Sequence, residues 1–121
     1  MADPGARDIV AYPTILDGDV TNNGPTTDDK CHVLYFVCHA GSGTVTLDGL
    51  TIKGGYSESG GTGAGVHLSG FTLVVRDCTF KENQAAGPGG GLYCLGNWGT
   101  HLTIERCVFE RNIGTMGGGL Y

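Results

Sequence analysis

Several residue sets in this chain have types and spacings that could carry chemistry. Cys31-His32 and Cys38-His39 are two thiol and imidazole pairs, together the ligand set of a Cys2His2 zinc centre. The run between them reads as a strand, which at about 3.3 Å per residue holds the pairs roughly 23 Å apart. That is too far for one tetrahedral ion, so no metal site is expected. Asp17, Asp48 and Glu105 fall in one register when their flanking sequences are superposed, with Asp77 beside them. Carboxylates clustered on one flank could bind calcium, or serve as acid and base in glycoside cleavage. Nothing places a second catalytic group opposite them, so they are expected to be corner residues turned to water, and no catalytic residue is assigned. Two glycine triplets, 89–91 and 117–119, could cradle a phosphate. Neither is followed by a helix start or a lysine, and the expected role is positive φ and close passage of chain. Tyr56, Tyr93, Tyr121 and Trp98 could stack on sugars, although aromatic residues near corners more often cover core edges. Thr46, Thr51, Thr79 and Thr103 suggest a flat ice-binding face, but Val74 and Val108 interrupt it and β-branched residues belong on strands in any case.

The elements that must position these residues come from an internal repeat. Cys78-Thr79-Phe80-Lys81-Glu82-Asn83 is followed by Gly89-Gly90-Gly91-Leu92-Tyr93, and both segments recur as Cys107-Val108-Phe109-Glu110-Arg111-Asn112 and Gly117-Gly118-Gly119-Leu120-Tyr121. Phe80 to Phe109 is 29 residues and Gly91 to Gly119 is 28, a period that points to a solenoid. In the same register Leu47, Val75 and Ile104 line up, and the similarity of Leu16-Asp17-Gly18 to Leu47-Asp48-Gly49 adds a first turn. Four turns are therefore predicted, starting near Thr14, Val45, Leu73 and Leu102. Within each, side chains alternate with the strand period of two, so that Leu73, Val75, Cys78 and Phe80 face inward. The expected fold is all-β: a right-handed parallel β-helix of about four coils with three short strands per coil. Residues 1–12 form a leading arm and 13–121 a single β-helix domain, a piece of a longer solenoid or a self-stacking unit. Gly54 to Gly65 is expected to be a loop. Phe80 and Phe109 are predicted to fill the core on successive levels, Cys78 and Cys107 to stack as reduced thiols, Asn83 and Asn112 to hold a corner, and Gly91 and Gly119 to let adjacent coils pass.

Composition agrees with many short strands joined by tight corners. Glycine makes up 23 of 121 residues, yet hydrophobic residues still reach 40%, which argues against a disordered linker. A net charge of -5 with only 7 Lys and Arg disfavours nucleic acid as a partner. No apolar run approaches the roughly 18 residues of a membrane span. The start lacks the pattern of a secretory signal, so the expectation is a signal already removed or a chain cut from a longer one. Five cysteines cannot all pair within one chain. No cofactor is expected.

The two Phe-x-x-Asn boxes, Phe80 to Asn83 and Phe109 to Asn112, together with Gly-Gly-Gly-Leu at 89–92 and 117–120, resemble the chlamydial polymorphic outer-membrane-protein repeat. More broadly, residues 13–121 resemble the parallel β-helix regions of large bacterial surface and secreted proteins. The third glycine of each triplet stands where that repeat usually has alanine, and Ile52-Lys53-Gly54-Gly55 replaces the Phe-x-x-Asn box in the second coil. The resemblance implies an extracellular or cell-surface location and a structural or adhesive role, with a carbohydrate or host surface as outside partner. Open solenoid ends imply self-association or stacking on further repeats, giving a rod or filament. The competing expectation is a fragment of a polysaccharide lyase or hydrolase on a pectate-lyase-like scaffold. It would need carboxylates converging with Arg or Lys on one face; Arg76, Lys81, Arg106 and Arg111 fall mostly at corners, so the reading leans away from an enzyme.

Overall fold

A computed structural model of the chain describes residues 7–19, 32–37, 43–96 and 100–121. All of its regular structure is strand: β1 (Thr14–Asp17), β2 (Leu34–Val37), β3 (Thr44–Asp48), β4 (Leu50–Lys53), β5 (Tyr56–Ser57), β6 (Val66–Ser69), β7 (Thr72–Arg76), β8 (Thr79–Lys81), β9 (Gln84–Ala85), β10 (Leu92–Leu95), β11 (Leu102–Glu105) and β12 (Val108–Glu110). Every pairing is parallel and joins strands of successive coils, in the orders β1-β4-β8-β12, β2-β6-β10 and β3-β7-β11. These three sheets wrap a parallel β-solenoid with about three principal strands per coil. Each backbone ladder is completed by the neighbouring coil, as a parallel sheet requires.

Alternation sends one side of every strand inward. Leu47, Ile52, Val66, Leu68, Leu73, Val75, Cys78, Phe80 and Leu92 form the buried core. Leu73 and Val75 are fully buried on β7, whereas their fourth-level equivalents Leu102 and Ile104 are not, because no further strand lies beyond β11 among the described residues. A small fourth sheet, β5-β9, continues as a bridge from Gln84 to Ile113. It corrects the loop expected over Gly54 to Gly65, which carries β5. Two-residue strands of Tyr, Ser, Gln and Ala leave too little alternation to be read from sequence.

The first coil is placed differently from the sequence expectation. β1 pairs with β4, setting Leu16 on Ile52, instead of taking Leu47 as its counterpart. The two Asp-Gly dipeptides thus lie at different corners. Gly18 N–H donates to the Lys53 carbonyl at 2.9 Å, and the Lys53 ammonium meets Asp17 at 2.9 Å. Leu16 thereby extends the inward column Ile52, Phe80 and Phe109, and Thr14 begins the second face of a coil. In the arm, Asp8 caps a single turn, accepting from Ala11 N at 2.9 Å, while Arg7 reaches Asp48.

Candidate functional site

The repeated motif resolves into columns of side chains running along the solenoid. In the asparagine column each Asn serves the level that precedes it. Asn83 Oδ1 accepts from Gly55 N at 3.0 Å and its Nδ2 donates to the Ile52 carbonyl at 3.1 Å. One level on, Asn112 Oδ1 accepts from Asn83 N at 3.2 Å, and Asn112 Nδ2 donates to the Phe80 carbonyl at 2.8 Å. Asn83, itself fully buried, also donates from Nδ2 to the Oδ1 of the partly buried Asn112 at 3.0 Å. At the second-coil corner Gly55 stands in place of the asparagine: the Asp19 amide of the corner below donates instead to Asp17 Oδ1 at 3.0 Å, and a Cβ on Gly55 would collide with the Ala64 carbonyl. Beside this column the Phe80 and Phe109 rings stack with centroids 4.7 Å apart and planes 5° from parallel.

All three members of the first glycine triplet are constrained, the middle one because a Cβ on Gly90 would run into the Ile113 and Gly118 carbonyls. Gly89 and Gly117 have φ of 69° and 55°. A Cβ on Gly91 would stand 2.5 Å from the Gly119 carbonyl oxygen, so only glycine lets the fourth coil pass. Cys78 and Cys107 lie on successive levels as free thiols, Cys78 Sγ donating to the Arg76 carbonyl at 3.1 Å and Cys107 Sγ to that of Glu105 at 3.2 Å. Burial raises the Cys78 thiol above its ordinary range and does the same for Cys94, so neither is poised as a thiolate.

The carboxylates do not converge. Asp48, Arg76 and Glu105 share one register, and Asp17 belongs to another with Lys53, which overturns the single acidic register of Asp17, Asp48 and Glu105. The alignment of the two Asp-Gly turns had produced it. Asp48 pairs with Arg7, Glu105 with Arg76, and Asp77 with Arg106 through contacts of 2.7 and 2.9 Å. The Arg106 guanidinium holds the Asp77 carboxyl below its ordinary value. Burial would raise Asp17, but the hydrogen bond and charge of Lys53, with the Asp19 amide, carry it below the usual range. Carboxylates held ionised by guanidinium or ammonium partners suit ion pairing better than proton transfer near neutral pH.

One column had no counterpart in the sequence reading. On the outer face of β2-β6-β10, Tyr35, His67, Tyr93 and Tyr121 stack in series with centroids 4.6, 5.0 and 5.8 Å apart. His32 packs against both Tyr35 and His67, and its Nε2–H donates to the Thr62 carbonyl at 2.7 Å. Thr62 Oγ1 lies 2.8 Å from His67 Nδ1. Burial holds His67 below the ordinary imidazole value, and the neighbouring His32 adds to this. His67 and Tyr93 have a ring neighbour on each side in the column, whereas Tyr35 and Tyr121 at its ends are exposed at 59% and 52%. Of the aromatic residues considered for stacking on sugars, Tyr93 and Tyr121 join the column, Tyr56 sits on β5, and Trp98 lies outside the described residues. Cys31, Cys38 and His39 also lie outside them. Among the described residues no three His, Cys, Asp or Glu side chains gather as metal ligands, no cavity opens, and no helix is long and apolar enough to cross a membrane.

Columns of Asn, Phe, Gly and Tyr on stacked parallel coils define a repeat solenoid whose conserved geometry lies between levels. Residues 77–95, which span most of the third coil, match the Chlamydia polymorphic membrane protein (Chlamydia_PMP) repeat. The chain resembles that repeat on the stretch carrying Phe80, Asn83 and the first glycine triplet. No curated protein and no solved structure matches the chain.

Proposed function

We propose that the chain is a structural repeat module of a bacterial surface protein, which stacks in series with further coils and displays its outer sheet faces outside the cell. An adhesive role toward a carbohydrate or host surface would belong to those outer faces. The match of residues 77–95 to a repeat of a membrane protein family supports the surface location. The observation that carries the stacking role is the fourth level. Among the described residues no strand pairs with the outer edges of β11 and β12, and the core-register residues Leu102 and Leu120 are exposed at 40% and 38%, whereas Leu73 and Leu92 one level below are fully buried. Another coil stacked on this level would pair the open strand edges and bury the apolar cross-section together. Antibodies raised against the folded chain should label intact cells of the bacterium that makes it; labelling that appears only after permeabilisation contradicts the surface location.

A further inference from the structure

At most positions on the rim of the solenoid, charges in one column change sign from level to level, although Lys53 and Lys81 carry the same sign on successive levels. At the corner after β3, β7 and β11 stand Gly49, Asp77 and Arg106, and the space a side chain on Gly49 would occupy is taken by Ile9, 2.8 Å from that Cβ position, and by Arg7, whose guanidinium nitrogens lie 3.3 Å from it. The order of charge is therefore Arg7, Asp77, Arg106, and Asp77 feels both guanidinium groups. One residue earlier, Asp48, Arg76 and Glu105 alternate in the opposite sense. At the next corner Arg111 meets Glu82 at 2.8 Å, and below them Lys53 pairs with Asp17 and feels Glu82. The residues just before that corner are Lys53, Lys81 and Glu110. The corner side chains Asp77, Glu82, Arg106 and Arg111 all have φ near 50°, so acidic and basic residues alike occupy this left-handed position.

We infer that the open fourth level selects a coil with the rim charges of the third coil: a basic then an acidic residue at each of the two corners. The inference rests on the stacking reading proposed above and adds the chemistry of the partner. A third-type coil laid on the fourth sets Arg76 over Glu105, Asp77 over Arg106, Lys81 over Glu110 and Glu82 over Arg111, four opposite-sign contacts. It also brings an asparagine equivalent to Asn83 over Asn112, continuing the column by the rule of the lower levels. A copy of the fourth coil would instead make four like-sign contacts. The first level of a second whole chain fits no better, since Asp17 shares the register of Lys53, Lys81 and Glu110 and would fall on Glu110. Exposed pairs contribute little singly, so the rim chooses among partners while the apolar cross-section supplies affinity.

Leu120 pairs with Leu92, which gives the frame for a test. The full chain is extended after Tyr121 with a copy of residues 94–101 followed by a copy of residues 73–95. A second version carries Arg76→Glu, Asp77→Arg, Lys81→Glu and Glu82→Arg in the appended copy alone. Both extensions should raise the Tm of the parent chain, the unaltered one by about 5 °C more at low salt, and the gap should close in about 1 M salt. Equal shifts from the two versions, or a larger shift from the altered one, overturn the charge selection and leave stacking in place. A parent Tm unchanged by either version overturns both.

Discussion

Asn83 shows how much one side chain can hold in a fold of short strands. It is fully buried, and its amide satisfies Gly55 N, the Ile52 carbonyl and Asn112 Oδ1 at once. Asn83→Ala takes this partner from the buried Gly55 amide and Ile52 carbonyl, while Asn112 Oδ1 still accepts from the amide of residue 83, and should cost about 2–4 kcal/mol in urea unfolding. Asn112→Ala, at a partly exposed level, should cost about 1–2 kcal/mol. Equal costs would show that burial of the corner is unimportant. His67 gives the chain a pH dependence of definite sign. Burial, with His32 nearby, lowers its folded value below the unfolded one near about 6.5. Above that pH both states are neutral and its contribution is complete. As the pH falls through about 6.5 the unfolded chain takes up the proton first, so stability declines until the folded value is passed. His67→Gln should flatten this decline in unfolding midpoints measured from pH 7.5 to 5. The asparagines were legible in sequence because the Phe-x-x-Asn box repeats intact. The aromatic column was not, because its rungs are Tyr35, His67, Tyr93 and Tyr121, and a histidine on one rung breaks the pattern of residue type.

At the scale of elements, the coils are held at strand spacing by the absence of side chains at particular points. Gly91→Ala forces a Cβ to 2.5 Å from the Gly119 carbonyl oxygen and 3.1 Å from the Asn112 amide, both belonging to the fourth coil. The expected outcome is a loss of about 2–3 kcal/mol, with faster amide exchange confined to β11, β12 and residues 112–121. Loss spread evenly over β4, β6 and β7 would argue against a contact local to that level. The period of 28 and 29 residues made β7, β8, β10, β11 and β12 readable, because each has a counterpart one level away with the same apolar inward positions. The place of β1 was not readable. Asp17-Gly18 resembles Asp48-Gly49, yet the core column requires Leu16 on Ile52, and the Lys53 ion pair stands where the sequence similarity pointed elsewhere. Short-range similarity of a turn is a weaker determinant than the inward column it serves.

For the whole molecule, stability is a sum of level-to-level interfaces, so the second and third coils, flanked on both sides, should open last and the fourth first. The buried core follows this order: Ile52, Leu68, Leu73 and Phe80 are fully buried, while Leu102 and Leu120 on the fourth level remain exposed. The most direct test of an unfilled fourth level is native-state amide exchange in residues 102–110, compared between the chain and its extension by a coil of the third type. The chain alone should exchange there at least tenfold faster than in β6 and β7, and the extension should slow those amides to the rates of β6 and β7. Residues 102–110 already as slow as β6 and β7 in the chain alone, or unaffected by the added coil, would contradict a face that stacking completes.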